Sequence, residues 1–167
     1  MIGRIIQVNV SRGGLPKYAV QESYVGPLGL QGDRHAHPRF HGGSEKAVLI
    51  VCAEALEALR AQGFAVFPGA LGENLTIEGV DRRFLRSGQR WRAGDALLEL
   101  TTLRVPCESL TIYDQPGSSL RRALWDARTK SGDPSSPVWA MAGFYASVVQ
   151  PGSVRPGAPF VLLDQSV

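Results

Sequence analysis

Long apolar runs are missing from this 167-residue chain. Apolar-rich segments such as Ala47 to Ala53 and Val138 to Gln150 fall short of the roughly 18 apolar residues that suggest a membrane helix. Cysteine is scarce: only Cys52 and Cys107 are present, too few for a disulfide scaffold and easily kept as thiols in a reducing compartment. Basic runs are also missing. The longest are the pairs Arg82-Arg83 and Arg121-Arg122, with no interleaved aromatics to stack bases, so a nucleic-acid partner is not expected. The opening residues Met1-Ile2-Gly3-Arg4 enter a strand-like run with no apolar leader segment, and a soluble, cytoplasmic protein without a membrane partner is expected.

What is present points elsewhere. Charged residues make up 20% and hydrophobic residues 44%, which suits a globular chain of one domain over residues 1–167, with a core of about 2–163. Nineteen glycines and eleven prolines would break a bundle of long helices, so strands and turns should dominate. Fifteen of the eighteen basic residues are arginine, whose forked guanidinium suits phosphate and carboxylate; with a net charge of +3, a small anionic ligand fits best.

Strands are expected at Gly3–Val10, Ala19–Tyr24, Asn74–Ile77, Ala96–Thr101 and Phe160–Leu163. The continuous apolar run Ala47–Cys52 reads as a buried strand, and Val138–Val149 as a further strand with aromatic packing. Glu54–Gln62 reads as a helix stopped by Gly63, and Ser119–Ala127 as a second helix capped by serine. Thr129–Pro137 is expected to be a mobile loop. No regular alternation of strand and helix emerges, so the fold class is mainly β with a few helices (α+β), arranged as a barrel.

Three groups of residues carry chemistry. All three histidines, His35, His37 and His41, fall within seven residues just after Asp33 and Arg34, in a long glycine-rich segment over Gly26–Gly43. Aspartate with three imidazoles suits zinc, although Pro38 disrupts any helix that would align the rings. The same stretch also suits an anion pocket, since Gly42-Gly43 allows backbone N–H groups to approach a ligand and Lys46 adds a point charge. Asn74, between Glu73 and a strand, offers donors and an acceptor to a heterocycle edge, or serves the turn. Glu73 suits a general base or a surface carboxylate. Cys52 ends an apolar strand and reads as a buried small hydrophobe. Cys107 follows Pro106 with Arg104 three residues upstream, a setting that favours thiolate, the form that acts as nucleophile and soft-metal ligand.

In order, Gly32-Asp33-Arg34-His35, His41-Gly42-Gly43 with Lys46-Ala47-Val48, Gly72-Glu73-Asn74-Leu75-Thr76, Gly94-Asp95 and Pro106-Cys107 resemble the MOSC domain. That domain closes the molybdenum-cofactor sulfurases and recurs in the mitochondrial amidoxime-reducing components and in small standalone bacterial proteins. The resemblance runs from about Ile2 to Leu163 and implies a MOSC-type β-barrel. It implies that Cys107 ligates molybdenum or handles sulfur. It places Gly42, Gly43, Lys46 and Asn74 near the pterin and its phosphate, and gives Arg34 and Arg104 the neutralisation of phosphate or an oxo group. His35 or His41 would supply a proton. The implied activity is reduction of N-hydroxylated bases or related N-oxygenated small molecules, fed by a separate electron-donor redox protein; a homodimer is left open. Two other functions use the same residues: a non-catalytic carrier of the cofactor or of sulfur through Cys107, and a zinc-dependent hydrolase built on Asp33, His35, His37 and His41. The chain departs from the family where arginines usually stand, at Gly143 and Ser147. No pyridoxal phosphate site is expected within it.

Overall fold

The computed structural model describes residues 1–34 and 42–163. Seven of its strands close a barrel. They are β1 (Ile2–Val10), β5 (Val48–Cys52), β6 (Leu75–Glu78), β7 (Arg90–Ala93), β8 (Ala96–Leu103), β9 (Phe144–Gln150) and β11 (Pro159–Leu162), ordered β11-β7-β8-β9-β5-β6-β1, with β1 pairing back onto β11. The strand β2 (Tyr18–Val20) extends the sheet beside β1. A separate small sheet joins β10 (Gly152–Val154), β3 (Ser23–Gly26) and β4 (Gly29–Leu30). Mutual closure leaves the barrel strands without free edges, which suits a chain whose glycines and prolines keep strands short.

The core follows the sequence pattern. Val48 to Cys52 is buried at every position because β5 lies between β9 and the parallel strand β6, under the helix α1 (Ala53–Ala61). That helix buries Ala55, Leu56 and Leu59 on its inner stripe. In β1, Ile5 and Val8 are both fully buried although three apart. A register shift between Ile5 and Gln7 against β6 adds the extra residue that turns both inward. Trp91 and Phe160 stack with centroids 4.7 Å apart where β7 meets β11. The strand β7 itself was hidden in the sequence, because Arg90-Trp91-Arg92-Ala93 reads as a polar link unless Trp91 is known to point inward.

Four other expectations are revised. The stretch Ala19–Tyr24 divides into β2 and β3, which belong to different sheets. The Ser119–Ala127 helix is two: α2 (Leu120–Leu124) and α3 (Ala127–Lys130), separated by an extended Trp125. Asp126 forces the break, since its carboxylate accepts from Thr129 N at 2.7 Å and starts a new helix there. The segment 129–137 is not a loose loop: Thr129 and Ser136 are buried, and the Ser136 hydroxyl reaches Asp126 Oδ2 at 2.8 Å. The Val138–Val149 strand begins only at Phe144, because Ala140 (φ 57°) and Gly143 (φ 98°) turn the chain first. Among the described residues no helix is long and apolar enough to cross a membrane.

Candidate functional site

A cleft of about 940 Å³ opens at the end of the barrel where β1 and β8 finish and β5 and β6 begin. Its size suits a cofactor or substrate of several rings. Each wall comes from a segment that leaves or enters a strand. Leu15 and Lys17 follow β1, Lys46 and Leu49 bracket the start of β5, and Leu71, Gly72 and Asn74 lead into β6. Thr102 to Ser109 carry β8 over the rim, and Tyr145 stands on β9. Arg34, Lys46, Asn74, Arg104 and Cys107, far apart in sequence, therefore share one cavity.

Cys107 is half-buried, at the start of a 3₁₀ turn over Glu108–Tyr113. Its Sγ lies 2.7 Å from Ser109 Oγ and accepts from Arg104 Nη2 at 3.7 Å. Burial alone would push the thiol up, but the Ser109 hydroxyl and the Arg104 charge outweigh it and bring the group below the ordinary thiol value. Arg104 is 3% exposed; its Nη1 reaches Ala142 O at 3.5 Å, while its Nε has no hydrogen-bond partner among the described residues. The buried guanidinium sets a fixed positive charge against the sulfur at the cleft wall. Lys46 packs its ammonium over the Tyr145 ring, 5.3 Å from the centroid. Cys52 is the opposite case: desolvation drives its thiol up to about 12, as expected of a buried small hydrophobe.

The missing family arginines have a physical reason at one of their two positions. A Cβ on Gly143 would lie 2.5 Å from Ile50 O and 2.8 Å from Val51 Cγ2, at a φ that side chains rarely adopt. The carbonyl of Gly143 accepts from Arg104 N at 2.9 Å, so this glycine also sets the backbone of the arginine in the cleft. Gly143→Ala is expected to destabilise the fold by at least about 2 kcal/mol through strain and overlap, read as a lowered denaturant midpoint. A variant as stable as the parent would show that the strand can shift away. Ser147 stands opposite Glu99 on β8, and nothing in the structure explains the departure there.

Other sequence expectations divide. Asn74 lines the cleft, but its amide is already engaged: Oδ1 accepts from Leu49 N at 3.0 Å, and Nδ2 donates to Asp33 Oδ2 at 2.8 Å and Asn9 O at 3.3 Å. It braces three segments and has no N–H left for a heterocycle. Asp33 is equally committed, with Oδ1 accepting from Lys17 Nζ at 2.6 Å and Ser11 N at 2.9 Å. Gly42 and Gly43 are not among the residues lining the cleft; they lead into the 3₁₀ turn Ser44–Lys46 that sets Lys46 on it. His35, His37 and His41 lie outside the described residues. Among the described residues no cluster of three His, Cys, Asp or Glu side chains is placed to hold a metal ion.

Lys17, Ser109 and Tyr145 were not anticipated. Ser109 had a local signal, two residues after the reactive cysteine. Lys17 had none, since its partners are 6, 16 and 17 residues away. Glu73 is neither a surface carboxylate nor open to the cleft: it is fully buried, its Oε1 accepts from Gly69 N and from Thr76 Oγ1, and its Oε2 has no partner among the described residues.

The MOSC domain family model matches residues 37–161. Protein YiiM of Escherichia coli (strain K12) is 29% identical over 143 residues, covering 83% of this chain and 58% of that protein. The uncharacterized protein YflK of Bacillus subtilis (strain 168) is 28% identical over 139 residues, with coverage of 81% and 56%. The chain thus spans less than two thirds of the length of these curated relatives. The crystal structure of YiiM from Geobacillus stearothermophilus superposes with a TM-score of 0.73 at 27% identity, over 99% of this chain and 77% of that one.

Proposed function

Because this chain belongs to the MOSC domain family, we propose that it binds the molybdenum cofactor through Cys107 and reduces N-hydroxylated bases or related N-oxygenated compounds. MOSC domains are associated with that cofactor in general. The observation that carries the finer reading is the Cys107 sulfur on the cleft wall, leaning toward thiolate beside a buried Arg104 whose Nε has no partner among the described residues.

The residues present fit the group. Cys107 would supply a thiolate, the form of cysteine that binds a metal, from the cleft wall. Arg104, Lys46 and Arg34 supply positive charge for the cofactor's phosphate and for oxygen charge that develops during the reaction. The apolar wall of Leu15, Leu49, Leu71 and Leu103 gives a flat ring system a dry face. When bound, the cofactor supplies two-electron redox chemistry. The overall change is R–NH–OH + 2 e⁻ + 2 H⁺ → R–NH₂ + H₂O, with the electrons drawn from a separate redox protein. His35 or His41 is assigned the proton, imidazole being the side chain suited to general acid–base work.

Protein expressed with cofactor supply and given a reduced viologen dye is expected to convert an amidoxime to its amidine. Arg104→Gln should lower that rate about 10- to 100-fold, as loss of a group supporting a metal ligand does. A fully loaded protein with no turnover of any N-hydroxylated compound would overturn the reductase reading and leave a carrier.

A further inference from the structure

Arg34 lines the cleft through an exposed side chain that has no partner among the described residues, yet its backbone is held at both ends. Its N–H donates to Ser11 O at 2.8 Å, and its carbonyl accepts from Lys17 Nζ at 3.5 Å. The ammonium that reaches it is buried. Its other two protons go to Asp33 Oδ1 at 2.6 Å and Ser11 Oγ at 3.4 Å, so no N–H remains for a ligand although Lys17 borders the cavity. The pair is 7% and 3% exposed at the side chains. Asp33 is tied in turn to Ser11 N and to Asn74, which is fixed to β5 through Leu49 N.

Buried charges cost desolvation, and an apolar pair of similar volume often serves stability as well. Placed on the residue next to Arg34 and on its carbonyl, this pair does something an apolar pair would not: it bonds the polar backbone that sets where the guanidinium stands. We propose that Lys17 and Asp33 are positioning residues, a buried strut that aims Arg34 at a phosphate-type anion in the cleft. The inference rests on the cleft being an anion site, as the proposed function requires, but not on any redox activity.

The test exploits charge. Replacing both partners, Lys17→Met with Asp33→Asn, leaves net charge unchanged, so the field on a small anion hardly alters and a change in affinity reports position. The probe is inorganic pyrophosphate, titrated calorimetrically at low salt. Arg34→Gln is expected to weaken binding about tenfold, the order of a charge-assisted hydrogen bond. The Lys17/Asp33 double variant should weaken it by the same factor, and Arg34→Gln added to it should cost nothing more. Arg104→Gln added to the double variant should still take its own full factor, and Cys107 should keep its rate with a disulfide reagent, which separates a displaced arginine from a collapsed site. Parent-like binding by the double variant, or a full further loss from Arg34→Gln, overturns the strut. If the double variant does not fold, Asp33→Asn alone decides. Charge alone says that removing an anion strengthens pyrophosphate binding, so weaker binding supports the strut, and equal or tighter binding overturns it. A parent protein that shows no saturable pyrophosphate binding overturns the anion reading along with the strut.

Discussion

Under the proposed function, replacing Cys107 by serine is expected to strip the protein of molybdenum and to lower the N-hydroxy reduction by more than about 100-fold, since loss of outer-shell partners alone costs 10- to 100-fold. A serine hydroxyl keeps the size of the side chain but does not ionise near neutrality, so it offers the metal a neutral oxygen where Cys107, its thiol held below the ordinary value, offers a thiolate. The protein fold should survive, because Cys107 is half-buried and contacts Ser109 and Arg104 rather than the barrel interior. Elemental analysis by mass spectrometry on parent and variant, prepared together, measures the effect directly. Metal retained at parent stoichiometry with parent turnover would remove Cys107 from the site.

Raising the pH from 5 to 8 should cost the protein about 2–3 kcal/mol of stability through Glu73 alone. Burial pushes its carboxyl from 4.5 to about 7, against the opposing pull of the Gly69 N–H, Arg104 and Thr76. The unfolded chain releases this proton near 4.5, while the folded chain keeps it to about 7. Between those values the folded state binds more protons, so stability is complete below 4.5, falls through the window and levels off above it. For a chain of this size that is a drop in Tm of roughly 5–10 °C. Glu73→Gln removes the titration while its amide oxygen still accepts from Gly69 N–H. Its stability should be flat where the parent declines, and it should exceed the parent at pH 8. Parallel curves for the two proteins would show that the carboxyl ionises freely where it sits. Asp81, held down to about 2 by Arg83, acts only at lower pH and does not mask the effect.

The two expected results differ in how far the sequence anticipates them. Cys107 and Arg104 are three residues apart, and the short irregular link between them leaves guanidinium and sulfur within reach of each other. That proximity is a local property, so the contact of Arg104 with the sulfur was legible. Glu73 lies in a motif that points to function, yet its behaviour follows from burial under the barrel end, and nothing local distinguishes a buried glutamate from an exposed one. Trp91 shows the same limit in the core: flanked by two arginines, it reads as part of a link until Phe160, 69 residues later, stacks on it.

By itself the sequence determined the β-rich class, the buried strand β5, the helix behind it and the order of motifs that mark a MOSC domain. These depend on periodicity, turn residues and short spacings, all carried by neighbours along the chain. Only the tertiary structure decided what the polar residues do. Asp33 and Asn74 look like ligand contacts in the sequence, but barrel closure brings them to each other across 41 residues and sets Lys17 against Asp33. A buried polar atom must find a partner, and the topology chooses which one. The same closure gathers Arg34, Lys46, Arg104 and Cys107 around one cavity that no stretch of the chain contains alone.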